Sequence, residues 1–241
     1  MPIITQKPVI QQRVEKAISL YQEKNIQPFI AEVHANILQQ KVRYPLLEYA
    51  ARLMYEHIPY QEQLAVADAV MHLHENGSSV IAGIILQLRL YKGVEEPIQK
   101  AGEYMILGDE WHVCDNTAER VMGYALLTQP EKTIPILREL TRTESKWLVR
   151  SVGVATHYAT KKGLKKKFAD DMFLLLLSQS HVTDFHPKTG IGWGAKTIVK
   201  FHPDIYEKYK PEIEDEKVRQ WFKTKIKIGL GRSEKYAGRY D

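Results

Sequence analysis

The chain has 241 residues, of which 44% are apolar and 26% charged. That is an ordinary balance for a soluble globular fold, and enough length to bury a core without staples. The single cysteine, Cys114, excludes an internal disulfide, and no apolar run approaches the roughly 20 residues that cross a bilayer. The net charge of +5 is unevenly spread: residues 1–120 hold 11 Lys/Arg against 15 Asp/Glu, and residues 121–241 hold 23 against 14. A basic half fits a polyanion partner, nucleic acid first and an acidic membrane surface second; it also fits a merely solvated face.

The opening "MPIITQKP" has no charged segment followed by an apolar one, so no signal peptide is expected and the expected location is the cytoplasm. The apolar spacing is helical nearly everywhere. "YPLLEYAARLMYEHI" puts Leu46, Leu47, Ala50, Ala51, Met54 and Ile58 at three- and four-residue steps, and "QEQLAVADAVMHLHE" repeats the pattern. Strict alternation is scarce, so no sheet is predicted. Gly77-Ser78-Ser79, Gly93, Gln129-Pro130, Lys162-Gly163, His202-Pro203 and Lys210-Pro211 punctuate the helices, about a dozen in all.

The later helices come in pairs: about 94–107 with 110–128, 131–143 with 146–160, and 165–178 with 187–201. Each pair spans roughly 35–40 residues, the period of HEAT-type αα repeats, which stack into a superhelix with a concave wall. The expected fold is therefore all-α, a HEAT-like αα-repeat solenoid with a concave basic face. An irregular helical bundle is the alternative. The whole chain reads as one domain: divergent N-terminal helices over 1–90, repeats over 94–205, and a basic tail over 223–241.

Three features bear on chemistry. "GIGWGAKT", residues 190–197, nearly spells a phosphate-binding loop, but the preceding "SQSHVTDFHPKT" is too polar for a buried strand and Ala195 replaces the second motif glycine. Gly190, Gly192 and Gly194 read instead as places where a backbone comes close to another helix or to a ligand. The histidines lack the i,i+4 or Cys-paired spacing of a zinc site, so no metal is expected. The densest charge is "KKGLKKK": Lys161, Lys162, Lys165, Lys166 and Lys167. With Lys196 these form the expected DNA-binding set.

The second helices of the three pairs carry further candidates. Trp111 and Asp115 are four apart and share a helix face. Arg150 follows Trp147 by three, and Trp193 lies in the third. Stacked repeats would set these helices side by side, so the four side chains would converge on the concave wall. Each alone also reads as a core tryptophan or a structural ion pair.

Taken together, Trp111-x-x-x-Asp115, then Arg150, then Gly192-Trp193 at the start of a helix ending "KFHP" resembles the AlkD family of DNA alkylation-repair glycosylases over residues 95–205. The resemblance implies a HEAT-like fold and excision of cationic N3- and N7-alkylated purines from duplex DNA. It implies that Trp111 and Trp193 pack on the deoxyribose backbone, that Asp115 is the catalytic carboxylate and that Arg150 contacts a phosphate. Directly after the first tryptophan this chain has His112, where the family usually has an acid. The expected protein is a monomer on alkylated duplex DNA in the bacterial nucleoid, with no cofactor, nucleotide or membrane partner. The alternatives are a non-catalytic binder of damaged or branched DNA, and a helical-repeat scaffold whose basic face meets an acidic protein.

Overall fold

The computed structural model describes residues 3–240. Among them no strand forms; the only β-type pairing is two isolated bridges, Ile4 with Val42 and Gln22 with Asn25. The expectation of an all-helical chain holds. The chain divides into two compact units, one ending at Val121 and one starting at Met122. The division falls where the charge balance changes sign.

The first unit holds α1 (Lys7–Ser19), α2 (Gln27–Val33), α3 (Tyr44–His57), α4 (Gln63–Met71), α5 (Ser78–Arg89), α6 (Glu95–Gly108) and α7 (Trp111–Thr117). α2 runs into a π-helical turn, His34–Leu38, and α7 into another, Ala118–Gly123. The first three helices each carry proline in the opening turn, where its missing N–H costs nothing. α1 packs on α3, α3 on α5 and α5 on α7, while α4 and α6 pack against α5 from the other layer. Two buried arginines lock this unit. The Arg89 guanidinium lies 3.8 Å from the Tyr60 ring centroid and donates to Glu96 at 2.6 Å. Arg120 donates to Glu48 at 2.7 Å and to the Asn116 carbonyl at 3.0 Å.

The second unit holds α8 (Tyr124–Thr128), α9 (Pro130–Leu140), α10 (Lys146–Lys161), α11 (Lys166–Ser178), α12 (Phe185–Phe201), α13 (Pro203–Lys208), α14 (Lys210–Glu214) and α15 (Gln220–Leu230), then a 3-10 turn, Ser233–Lys235. α8, α10, α12 and α15 pack successively along one row, with α9, α11 and α13 in the other layer. This is an αα-hairpin arrangement within the unit, and the predicted pairs 131–143 with 146–160 and 165–178 with 187–201 match it to within a few residues, whereas the predicted helix 110–128 is divided into α7, a π-helical turn and α8. The chain holds 15 α-helices among the described residues, more than the dozen expected, because proline and π-turns split several runs.

α10 and α12 touch backbone to backbone. A Cβ on Gly153 would overlap the backbone of Gly190, and one on Gly190 would meet the Arg150 carbonyl. α12 and α15 repeat the device, with Gly229 against the Lys196 carbonyl. The glycines of "GIGWGAK" therefore serve contact between helices. The sequence alone puts this segment at a helix start. It lies inside α12, which begins earlier because the Asp184 carboxylate caps the His186 N–H at 2.8 Å. Interior helix N–H groups already bond the carbonyls four residues back, so this stretch offers no phosphate cradle.

Candidate nucleic-acid interface

In the first unit, Trp111 is the first residue of α7 and 56% exposed. The chain reaches it through a tight turn. Asp109 adopts a left-handed φ of 43°, and a Cβ on Gly108 would stand 2.8 Å from Val113 Cγ1. The Trp111 ring meets His112 edge-on, with centroids 5.8 Å apart, and His112 Nδ1 lies 3.8 Å from Glu110 Oε2. Asp115 is half-buried one turn along. The next residue faces inward: Asn116 donates to Ser79 Oγ at 3.1 Å. The first turn of α7 thus presents a bare indole with a carboxylate one turn behind it.

In the second unit, Trp193 is half-buried on α12. Three contacts hold it. The Arg150 guanidinium lies 5.2 Å from its ring centroid, His157 packs at 6.2 Å, and its carbonyl accepts the Thr197 hydroxyl at 2.8 Å. Thr197 Oγ1 in turn pairs with His157 Nδ1 at 2.7 Å. Arg150 is 3% exposed and donates to the His186 carbonyl at 3.2 Å. The absent side chain of Gly190 leaves room for its stem. Arg150 is therefore placed to brace the indole. Trp147 is core, 4% exposed and tilted on His186 at 4.5 Å.

Cations gather beside Trp193. Trp193, Lys196 and Lys200 follow at three- and four-residue steps on one face of α12. Lys225 lies across the gap at Gly192, where a Cβ would stand 2.9 Å from its Cγ. Burial first, then the charges of Lys225 and Arg232, push the Lys196 ammonium below the usual lysine range. Lys200 is lowered in the same way, by burial and then by Lys161, Lys196, Arg232 and Arg239. His157 is pushed down to about 4 by burial and by Lys161, Lys196 and Lys200. None of these six cations forms an ion pair among the described residues. Gathered like charges raise the local potential that an anion meets.

The predicted lysine run is divided. Lys161 ends α10 and joins this group. Lys162 is exposed beside the Tyr158 ring at 5.8 Å, and Lys165 is exposed at the start of α11. Lys166 pairs with Asp204 at 2.6 Å and Lys167 with Glu131 at 3.7 Å.

The family model for the DNA alkylation repair enzyme matches residues 16–220. The chain belongs to that family. No curated protein and no solved structure matches it. Family membership assigns the chain a role in DNA alkylation repair and makes DNA its partner. No described helix is long and apolar enough to cross a membrane.

Sequence reading missed His157, Lys200, Lys225, Arg232 and Arg239 in this DNA alkylation repair protein. Two of them had a legible signal: His157 to Lys161 and Lys196 to Lys200 are i,i+4 steps. The other three are brought in by the docking of residues beyond 220, which no local spacing reveals.

Proposed function

We propose that this protein is a monofunctional DNA glycosylase that releases cationic N3- and N7-alkylated purines from duplex DNA. The observation that carries the reading is Trp193, half-exposed, braced by Arg150 and bordered by unpaired lysines, in a chain matched to the alkylation-repair family over 16–220.

The chemistry suits so sparse a set of groups. An N3- or N7-alkylpurine already carries positive charge, so it departs with the electron pair of the glycosidic bond and needs no general acid. The sugar becomes oxocarbenium-like as the bond breaks. Asp115 stabilises that cation and orients the water that adds to C1′, and the water proton passes to the carboxylate or to solvent. The products are a neutral free base and an abasic site. Trp111 and Trp193 pack on the backbone sugars and stabilise the developing charge through their π faces. The Arg150 guanidinium holds the Trp193 plane from behind and adds positive charge toward the phosphates, while Lys196 makes direct contact with the strand. The reaction needs no metal, nucleotide or Schiff-base lysine, and a monomer suffices. The HEAT-like concave wall expected from the sequence is part of this proposal.

The test is single-turnover release of 7-methylguanine from methylated duplex. Release that disappears on Asp115→Asn supports the reading; no release by the wild type overturns it. A non-catalytic binder of damaged or branched DNA is the second reading. It is favoured by His112, where the resembled family usually has an acid, and by the burial of Arg150.

A further inference from the structure

The family match ends at residue 220. Beyond it the chain turns back and docks on the second unit. Tyr236 and Tyr240 close on Phe201, with centroids at 5.4 and 5.3 Å. The Tyr240 hydroxyl donates to the Lys161 carbonyl at 2.6 Å, at the end of α10. Gly163, with φ of 100°, leaves space beneath the Tyr240 ring. Lys200 Nζ lies 4.0 Å from the Tyr236 centroid. Arg232 is fixed by the backbone bond from its N–H to the Gly229 carbonyl at 3.0 Å.

Docking carries a cost that the tail's own contacts must offset. Two aromatic contacts and one hydrogen bond hold Arg232 and Arg239 near Lys161, Lys196 and Lys200, and α15 adds Lys225. Gathering six like charges, none of them in an ion pair among the described residues, is unfavourable in the free protein. It becomes favourable when an anion with several charges sits among them. A duplex strand offers such charges at regular spacing, and each neutralised phosphate releases condensed counterions.

We propose that the docked segment 221–240 completes a phosphate-binding cluster, Lys161, Lys196, Lys200, Lys225, Arg232 and Arg239, that grips the DNA backbone beside Trp193. The proposal rests on the DNA-binding part of the function proposed above and not on base excision. It gives the tail a task outside the family core: anchoring the strand whose sugar Trp193 meets.

The experiment measures binding of unmodified duplex to the full chain as salt rises from about 50 to about 200 mM. Arg232→Gln with Arg239→Gln removes two exposed charges and leaves both tyrosines in place. The log–log salt slope should flatten by roughly 2, near 0.9 for each phosphate contact. Tyr236→Ala with Tyr240→Ala keeps every charge but frees the tail, and should flatten the slope comparably. Lys210→Gln with Lys217→Gln, two exposed charges elsewhere in the same unit, should leave it unchanged. An unchanged slope in the arginine pair overturns the inference, as does an equal loss in the lysine control. If the tyrosine pair binds as the wild type does, the docked geometry is not what matters and the inference fails. Should that pair prove unfolded by circular dichroism, the arginine pair decides alone. If the arginine pair weakens binding to inorganic polyphosphate but not to DNA, the cluster serves another polyanion and the inference falls. Loss of slope in a protein that releases no base refutes the glycosylase reading and leaves this one standing.

Discussion

The guanidinium of Arg150 lies 5.2 Å from the ring centroid of Trp193, with one N–H on the His186 carbonyl at 3.2 Å. A planar, buried cation against an indole face fixes the angle at which that indole meets solvent.

Arg150→Ala should therefore act twice. Removing a buried hydrogen-bonded cation leaves unsatisfied partners, and the melting temperature should fall in step with a loss of about 2–4 kcal/mol. DNA affinity and base-release rate should fall together, since the charge and the orientation of Trp193 serve both. Arg150→Lys keeps the charge but loses the flat contact, so it should recover affinity more than rate. Thermal denaturation, duplex binding and single-turnover kinetics on the same two variants check this; an alanine variant with wild-type melting would remove the bracing role.

Gly153→Ala tests the contact between α10 and α12. The added methyl would overlap Gly190 backbone, which a side-chain rotation cannot relieve. The two helices must separate, and overpacking of this kind costs about 1–3 kcal/mol or more. Urea denaturation should show a lowered midpoint. Gly231→Ala is the control: φ there is −61° and a Cβ meets nothing closer than 3.5 Å, so the midpoint should hold or rise slightly.

The His157 imidazole sits near 4, below its ordinary 6.5, because burial and the charges of Lys161, Lys196 and Lys200 oppose protonation. The sign follows. Between pH 6.5 and 4 the unfolded chain takes up a proton at this position that the folded one refuses, so the unfolded state gains. Stability from neutral His157 is complete above about pH 7 and is lost as pH falls, by up to about 3 kcal/mol near pH 4. His157→Gln should flatten that part of the stability–pH curve relative to the wild type. Equal slopes in the two proteins would contradict the assignment.

Much of the architecture was legible because helix boundaries here are chemical. Proline opens many helices, Ser145 and Asp184 cap two of the longest, and apolar residues recur at three and four. Pairing followed from helix length alone. The "GIGWGAK" start was misplaced because the true N-cap, Asp184, lies six residues before the first glycine of a small-residue run that looks like a turn. The division of the lysine run was hidden for a different reason. Charge density along the chain says nothing about partners distant in sequence, and Asp204 and Glu131 answer Lys166 and Lys167. Conversely Lys161 and Lys200 are separated by 39 positions yet share a field, because α10 and α12 lie side by side.

That contrast is itself measurable. Lys196→Gln with Lys200→Gln should weaken binding to all duplex sequences alike and flatten the salt slope by roughly 2. Lys166→Gln with Lys167→Gln should have the smaller effect, since each already faces a carboxylate and a phosphate contact there would first have to break an ion pair. Salt titrations of the two double variants decide it, and equal losses would restore the whole run to the interface.

Asp115→Asn bears on catalysis. The residue is half-buried one helical turn from Trp111, which is 56% exposed at the head of α7. A carboxylate does nothing to grip a phosphate backbone, because like charges repel. It contributes only when the sugar becomes cationic, so it stabilises the transition state and not the bound ground state. The amide keeps the shape and removes the charge. Base release should fall by on the order of 10²-fold or more, the scale of losing one preorganised electrostatic group, while affinity for duplex holding an uncleavable abasic analogue stays equal or tightens slightly. Trp111→Ala and Trp193→Ala should lower affinity and rate together, since an indole on the sugar holds the strand and also meets the developing charge. Single-turnover release of 7-methylguanine beside binding to the analogue separates these patterns. An Asp115→Asn variant that releases base at the wild-type rate would make the carboxylate structural and move the catalytic assignment elsewhere.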